Sequence, residues 1–261
     1  MHTRESQMQA FGRLLDILDE LRQKCPWDKI QTNESLRPLT IEETYELSEA
    51  LLHQDHAEIS KELGDLLLHI LFYAKIGSEQ SQFDIQDVCE QLMQKLIYRH
   101  PHIFGEVEVS GAKEVEQNWE KLKLKEKDGN RTVLAGVPEA LPSMIKAFRM
   151  QDKARGMGFD WDQKEQVWEK VQEEFSELMV EIDSMEKDKM EAEFGDLFFS
   201  LINAARLYNI NPDNALERTN AKFRNRFNYL EEKTLTQGKS LRSMSLAEMD
   251  VIWDEAKSKG L

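Results

Sequence analysis

An acidic motif that occurs twice along the chain limits its possible folds more than any other feature of the sequence. The first copy consists of Glu43, Glu46, Glu62 and Asp65, and the second of Glu174, Glu177, Glu193 and Asp196. The same offset of 131 residues (174 − 43) relates all four pairs. Four acids in one register indicate an internal duplication, and 261 residues are enough for two domains of ordinary size. We therefore predict two similar domains.

Basic and aromatic residues follow each acidic set in the same order. They are Lys95, Arg99 and Trp119 in the first copy and Lys222, Arg226 and Trp253 in the second. The order of two acid pairs, a Lys/Arg pair and a Trp is therefore duplicated as a whole.

Apolar residues recur at helical spacing through most of the chain, as they do from Phe11 to Leu21. The 40% of hydrophobic residues, with only 12 Gly and 6 Pro, suit a helical protein better than a sheet protein or a disordered chain. We predict an all-α fold. After a first helix that ends at Pro26, helices are expected from near Thr40, from Ala57 to Gly77, from Asp84 to Pro101, and at 113–127, 143–156, 164–184, 187–209, 212–234 and 245–259.

A turn-forming segment, Asp128-Gly-Asn-Arg-Thr132, separates the two copies of the motif. Pro138 and Pro142 then bracket the start of new helical periodicity. We therefore place the first domain at 1–130 and the second at 138–261.

The spacing of the acids predicts a metal site in each copy. Residues at positions i and i+3 share one helix face, and two antiparallel neighbouring helices could bring four carboxylates to one point. Unpaired acids there would repel one another and resist desolvation, which a divalent cation would relieve. Ligands that are all oxygen favour a hard ion, so we expect Mg²⁺, with Mn²⁺ as a substitute.

Each of these residues also has a purely structural interpretation. Thr40-x-x-Glu43 fits a capping box, and Asp162-x-x-Glu165 is the better capping candidate in the second copy, which leaves Glu174 inside its helix. A Lys/Arg pair is often a solvated helix face, and a single Trp is often a packing residue. The segment Arg99-His-Pro-His102 resembles a metal-ligand cluster, but its proline favours a rigid helix exit.

The net charge of −15 excludes the function classes that require a basic surface. We expect neither direct nucleic-acid binding nor binding to anionic lipid. The sequence has no apolar segment long enough to span a membrane, and we expect a cytoplasmic protein. Cys25 and Cys89 are interpreted as reduced thiols.

The paired pattern Glu42-Glu43-x-x-Glu46 and Glu62-x-x-Asp65, repeated from Glu173 to Asp196, resembles the MazG family of nucleoside triphosphate pyrophosphohydrolases. The segments Cys25-Pro-Trp-Asp28, Arg99-His-Pro-His-Ile-Phe104 and Gly158-Phe-Asp-Trp161 are similar to those of the tandem-domain bacterial form. The resemblance implies two MazG domains, homodimerisation that completes four-helix bundles, and Mg²⁺-dependent cleavage of NTP to NMP and pyrophosphate.

The resemblance also assigns roles to residues of the second copy. It implies that Glu174, Glu177, Glu193 and Asp196 bind the metal and that Lys222, Arg226 and Trp253 contact the nucleotide. Lys170 and Lys189 are further candidates for nucleotide binding. Glu173 or Glu174 is a hypothesis for the general base.

The first copy is predicted to carry a second, degenerate site, formed by Glu43, Glu46, Glu62, Asp65, Lys95 and Arg99. Phe72 stands where the second copy has Asn203, and Met93 stands where it has Asn220. We interpret this as a loss of polar lining. The second domain is therefore expected to carry most of the activity, with the first weakened or structural.

A similar arrangement of acids could serve two other functions. A ferritin-like di-iron bundle would need an inward-facing Glu-x-x-His motif, which the sequence lacks. A non-catalytic dimeric scaffold or nucleotide-binding protein would keep the fold and the metal without turnover. Within the enzymatic interpretation we expect broad specificity over NTPs and dNTPs, in control of nucleotide pools or removal of aberrant nucleotides.

Overall fold

A computed structural model describes residues 2–125, 132–236, 238 and 240–261 of the chain. The predicted turn at 128–132 lies outside the described residues except for Thr132. The α-helices are α1 (Arg4–Lys24), α2 (Asn33–His53), α3 (His56–Glu79), α4 (Ile85–Arg99), α5 (Pro101–Phe104), α6 (Ala112–Lys125), α7 (Ser143–Gly156), α8 (Val167–Ser184), α9 (Lys187–Leu207), α10 (Pro212–Thr236) and α11 (Leu246–Ser258). The part of the chain that is described has no β-strand, and the all-α prediction is confirmed.

The chain divides into two compact units, Met1–Glu108 and Val109–Leu261. The first contains α1 to α5 and the second α6 to α11. Helix α6 packs against α7 within the second unit, whereas the sequence placed it at the end of a first domain 1–130. The domain ranges 1–130 and 138–261 therefore differ from this division in the assignment of α6.

Helix α2 begins well before the residue predicted from the sequence. Thr32 caps it: the Ser35 N–H donates to Thr32 Oγ1 at 3.2 Å, and the Thr32 N–H donates to Ser35 Oγ at 2.9 Å. Pro38 is accommodated near this N-terminus, where it removes one intrahelical hydrogen bond. The capping interpretation of Glu43 is therefore wrong, because Glu43 lies inside the helix.

The expected cap of the second copy is also wrong. The cap before α8 is formed by Gln163 and not by Asp162. The Gln163 N–H donates to Gln166 Oε1 at 3.1 Å. Gly77 is likewise not the end of α3, which continues to Glu79. A Cβ at Gly77 would lie 2.8 Å from a ring atom of Phe83, so this glycine allows close packing and not a helix stop.

Each unit contains a tight pair of helices, α2–α3 in the first and α8–α9 in the second. A single left-handed residue ends the first helix of each pair, Gln54 with φ 55° and Met185 with φ 59°. These two residues correspond in the duplication, which shows that the hairpin geometry is repeated along with the acids. In the first unit α1, α2 and α3 build a core around Leu18, Leu36 and Phe72.

No helix among the described residues combines the length and the apolar character needed to cross a bilayer.

Candidate metal-binding site

The α8–α9 hairpin brings three of the four predicted acids of the second copy together. Glu174 and Glu177 lie on α8, and Glu193 lies on α9. One carboxylate oxygen from each of the three lies within 4.8 Å of the others. Asp196, one turn after Glu193, is close enough to raise the pKa of Glu193. These four residues form the second acidic cluster.

Glu193 is the least compensated member of this cluster. Its Oε2 atom is buried and has no hydrogen-bond partner among the described residues. Burial raises the pKa of Glu193 above its ordinary value, and the carboxylates of Glu177, Asp196, Glu174 and Glu181 raise it further. A buried carboxylate without a donor is costly, so the site has the electrostatic character of a cation site.

Lys170 supplies part of the missing positive charge. Its ammonium nitrogen lies 2.7 Å from Glu174 Oε1 and 3.0 Å from Glu173 Oε1. Hydrogen bonds to Glu174 and then Glu173 raise the pKa of Lys170. Lys170 therefore contacts the acids in this structure, and its predicted contact with nucleotide stays a prediction.

The α2–α3 hairpin builds a similar arrangement in the first unit. Carboxylate oxygens of Glu43, Glu62 and Asp65 lie within 4.8 Å of one another. Burial, followed by Asp65 and Glu46, raises the pKa of Glu43. Together with Glu46 these residues form the first acidic cluster.

Glu62 is fully buried in the first acidic cluster, with 0% of its surface exposed. Lys61 Nζ lies 2.7 Å from Glu62 Oε1 and holds the pKa of Glu62 below its ordinary value, against the opposing effect of burial. The other oxygen, Oε2, is buried without a hydrogen-bond partner among the described residues. Each cluster thus keeps a carboxylate oxygen that has no donor in the described part of the chain.

The donor sets fit a hard divalent cation. All ligand atoms are carboxylate oxygens, which suit Mg²⁺ or Mn²⁺ better than softer metals. In each cluster an oxygen without a donor faces the same small group of acids, and a cation would satisfy it. Glu174, Glu177, Glu193 and Asp196 could hold such an ion in the second unit.

The structure brings two of the predicted nucleotide-binding residues together where α10 meets α11. The Arg226 guanidinium carbon lies 5.9 Å from the centre of the Trp253 ring, and Arg226 Nε donates to the main-chain oxygen of Leu261 at 2.7 Å. The Trp253 ring is also 5.2 Å from Phe223. Helix α10 packs against α9, the helix that carries Glu193.

The remaining predicted basic residues lie at the surface. Lys222 and Lys95 are exposed, and Arg99 is half-buried. Lys189 pairs with Glu186 at 2.9 Å on the exposed start of α9. Their roles in nucleotide binding stay predictions.

Sequence reasoning missed Lys61 and Glu181. Lys61 directly precedes Glu62, and neighbours in a helix point in different directions, yet its long side chain reaches the carboxylate. Glu181 lies one turn after Glu177, and this i+4 spacing was the available signal.

Phe72 and Asn203, which occupy corresponding positions in the two copies, lie in different surroundings. Phe72 belongs to the hydrophobic core of the first unit. Asn203 Oδ1 accepts hydrogen bonds from Arg206, which in turn donates to both carboxylate oxygens of Asp160. Burial raises the pKa of Asp160, but Arg206 and the Trp161 N–H together hold it below its ordinary value. The Gly158–Trp161 segment is thereby fastened to α9.

The His100 and His102 rings lie 5.6 Å apart at the end of α4. His100 Nδ1 donates to the carbonyl oxygen of Leu96 at 2.7 Å. This nitrogen is engaged in ending the helix, as the structural interpretation of the segment expects.

Comparison with known proteins agrees with the duplicated geometry. The family model described as "MazG nucleotide pyrophosphohydrolase domain" matches twice, at residues 31–104 and 163–230. A nucleoside triphosphate pyrophosphohydrolase of Escherichia coli K12 is 35% identical over 257 residues, covering 96% of this chain and 98% of that protein. A protein of Thermotoga maritima, named nucleoside triphosphate pyrophosphohydrolase/pyrophosphatase MazG, is 39% identical over 250 residues, with 95% of each chain covered.

A third relative is a longer chain that this protein matches over about half of its length. The uncharacterised protein YabN of Bacillus subtilis 168 is 44% identical over 251 residues, which is 95% of this chain and 51% of that protein. Each family match contains one helix hairpin with its acidic cluster. The chain therefore belongs to the MazG family and carries two MazG domains in tandem.

Proposed function

We propose that this protein is a nucleoside triphosphate pyrophosphohydrolase that cleaves NTPs to NMP and pyrophosphate at the second acidic cluster. The observation that carries the proposal is the buried Glu193 oxygen, which has no hydrogen-bond partner among the described residues and lies among converging carboxylates in a MazG domain. The names of the full-length relatives from E. coli and T. maritima support the same reaction.

Mg²⁺ is the proposed cofactor, held by Glu174, Glu177, Glu193 and Asp196. When bound, it would neutralise phosphate charge and favour attack by water on the triphosphate. Glu174 is largely buried and stays in place through Lys170, so the ligand set is preorganised on rigid helices. Glu173, exposed beside it, is the candidate to accept a proton from water.

The basic and aromatic residues would bind the substrate itself. Lys222 and Arg226 lie one turn apart on α10 and present two cations to phosphate oxygens. Trp253 offers an aromatic surface next to Arg226 for the nucleoside. We further propose broad specificity for NTPs and dNTPs, in the control of nucleotide pools or the removal of aberrant nucleotides.

Homodimerisation is part of the proposal. Helices α8 and α9 carry an apolar stripe formed by Phe175, Met179, Phe194 and Phe198, whose side chains are 43–59% exposed. Contiguous exposed aromatic surface on a helix hairpin is typical of an interface. A second copy that covered this stripe would complete a four-helix bundle.

Pyrophosphate release tests the proposed reaction and its location. Incubation with Mg²⁺ and single NTPs should yield NMP and pyrophosphate, and a panel of canonical and modified NTPs and dNTPs would define the specificity. Glu174→Ala should lower the rate by roughly 100-fold, a loss that changes around bound metals can reach. Glu43→Ala should have a much smaller effect. A larger loss for Glu43→Ala than for Glu174→Ala would assign the reaction to the first unit.

A further inference from the structure

The amide side chain of Asn203 on α9 is held in one orientation by a buried arginine. Arg206 Nε and Nη2 donate to Asn203 Oδ1 at 3.0 Å and 2.8 Å. A guanidinium group donates hydrogen bonds and accepts none, so Asn203 must turn its oxygen toward Arg206. The amide nitrogen, Nδ2, therefore points away from the arginine.

Arg206 is in turn fixed by Asp160, which lies between α7 and α8. The Nη1 and Nη2 atoms of Arg206 donate to Asp160 Oδ2 at 3.1 Å and to Asp160 Oδ1 at 2.5 Å. The Trp161 N–H also donates to Asp160 Oδ1, at 3.0 Å. A bidentate contact of this kind restricts both side chains. The series of contacts from Asp160 through Arg206 to Asn203 thus opposes rotation of the amide.

The nitrogen of this amide is available as a donor. Asn203 Nδ2 makes no hydrogen bond to another residue that the structure describes, and the side chain is half-buried. An asparagine that can rotate offers either its oxygen or its nitrogen to a ligand, but here the oxygen is already engaged. Asn203 can therefore bind an acceptor and cannot adapt to a donor.

Asn203 lies on the same face of α9 as Asp196 of the second acidic cluster. The two are seven residues apart (203 − 196), which is about 10 Å along the helix axis. Ser200 lies between them, but its hydroxyl donates to the Leu197 carbonyl oxygen of the same helix at 2.9 Å. The distance from Asp196 to Asn203 suits the nucleoside of a bound nucleotide better than a phosphate held at the cluster.

A neutral amide suits a neutral acceptor. In the proposed function Lys222 and Arg226 bind the phosphates, which require positive charge. Nucleobases carry either a carbonyl oxygen that accepts, O4 of uracil or O6 of guanine, or an amino group that donates, N4 of cytosine or N6 of adenine, at equivalent positions. A donor of fixed orientation distinguishes these two kinds of group.

We propose that Asn203 sets a base preference by donating its amide N–H to a carbonyl oxygen of the nucleobase, and that Arg206 and Asp160 are positioning residues for it. The site then prefers UTP over CTP and GTP over ATP, with all four still accepted. The inference rests on the proposed function, because it takes the nucleotide to lie at the second acidic cluster.

Binding of the α,β-methylene analogues of UTP and CTP to the full-length protein tests this preference. These analogues cannot release pyrophosphate, so calorimetric titration with Mg²⁺ present measures binding without turnover. The parent protein should bind the UTP analogue more tightly. Asn203→Asp should lower the ratio of UTP to CTP affinity at least about tenfold, because a carboxylate accepts from cytosine N4 and repels uracil O4. Arg206 can still donate to the introduced carboxylate, so the fold should be kept.

A second variant and a control separate the loss of the donor from the added charge. Asn203→Ala removes the donor without adding a charge, so its affinity ratio should fall toward one and not reverse. Asn228→Asp is the matched control, because Asn228 is an exposed asparagine of α10 and the change adds the same charge. It should keep the ratio of the parent protein.

Two results would overturn the role of Asn203. An unchanged ratio in both Asn203 variants would leave the residue as a structural acceptor for Arg206. An equal loss of affinity for the two analogues would place its contact at the sugar or a phosphate. A parent protein that bound the analogues with the expected ratio but released no pyrophosphate from UTP would contradict the proposed reaction alone. A parent protein that bound neither analogue would contradict both.

Arg206→Lys tests the positioning role. A lysine keeps the charge but has no planar fork with which to hold Asp160 and Asn203 at once. The amide could then rotate, and the ratio of UTP to CTP affinity should fall toward one. A ratio equal to that of the parent protein would show that Arg206 secures the fold and does not orient Asn203.

Discussion

At the scale of single residues, the surroundings of the Glu193 carboxylate favour a bound cation. Its Oε2 atom is buried among acids and lacks a donor in the described part of the chain. The fold holds this carboxylate in place although the arrangement destabilises the metal-free protein. Binding energy from a metal would offset that cost, which links ion binding to stability.

Glu193→Gln should raise the thermal stability of the metal-free protein by a few degrees, because the amide removes a repelled charge and keeps the size of the side chain. The same variant should lose most of the stabilisation that Mg²⁺ gives to the unmodified protein. Differential scanning calorimetry with and without Mg²⁺ measures both effects. If the metal-free variant had a lower Tm than the metal-free parent protein, the charge of Glu193 would be stabilised by its neighbours.

The effect of Glu193→Gln should depend on pH in a defined direction. The pKa of Glu193 is raised above its ordinary value of 4.5, so the folded protein binds this proton more tightly than the unfolded chain does. The stability from this group is fully present below pH 4.5 and is lost as the pH rises through the folded-state pKa. The Tm difference between Glu193→Gln and the metal-free parent should therefore be small at pH 4 and grow toward pH 7. A constant difference would contradict the raised pKa.

At the scale of secondary-structure elements, a polar network fastens α11 to α10. Tyr229 Oη donates to Glu255 Oε1 at 2.5 Å, and Lys233 and Lys259 lie 3.1 Å and 2.9 Å from the same oxygen. Hydrogen bonds from Tyr229, Lys259 and Lys233 lower the pKa of Glu255 to about 2. This network positions the helix that carries Trp253 next to Arg226.

Glu255→Gln should loosen α11 because it removes the charge that three donors share. Limited proteolysis should cut the variant more readily between α10 and α11, and nucleotide affinity should fall if Trp253 binds substrate. Asp254→Asn is the matched control, since Asp254 pairs only one turn away with Lys257 on the exposed side of α11. Equal cleavage of the two variants would mean that the network does not hold the helix.

The helix boundaries show where sequence patterns were sufficient at this scale. Helices α7 to α11 lie close to their predicted ranges, because proline, glycine and apolar periodicity act over a few residues. Thr40 and Gly77 misled the prediction for α2 and α3. A capping motif or a glycine can have several structural roles. Here Thr32 caps α2 in place of Thr40, and Gly77 allows Phe83 to pack closely against α3.

At the scale of the whole molecule, the exposed apolar stripe on α8 and α9 determines the expected assembly. The unmodified protein should elute as a dimer. Phe198→Glu should shift it toward the monomer, because a charge in an apolar interface is desolvated without a partner. Multi-angle light scattering coupled to gel filtration measures both masses. Phe159→Glu is the control, since Phe159 is 84% exposed and lies outside the stripe.

A dimeric Phe198→Glu variant would place the interface elsewhere, and a monomeric parent protein would contradict the proposed assembly altogether.

The sequence by itself determined the helical fold, the duplication and the two sets of acids. These follow from patterns that repeat locally, since helix faces are set by spacings of three and four residues. The tertiary structure alone decided that Lys61 reaches Glu62, that Phe72 is a core residue and that α6 belongs to the second unit. Each of these depends on how distant segments pack and how far a side chain reaches. Two copies of the same motif can therefore have different surroundings, which the spacing of residues along the sequence does not reveal.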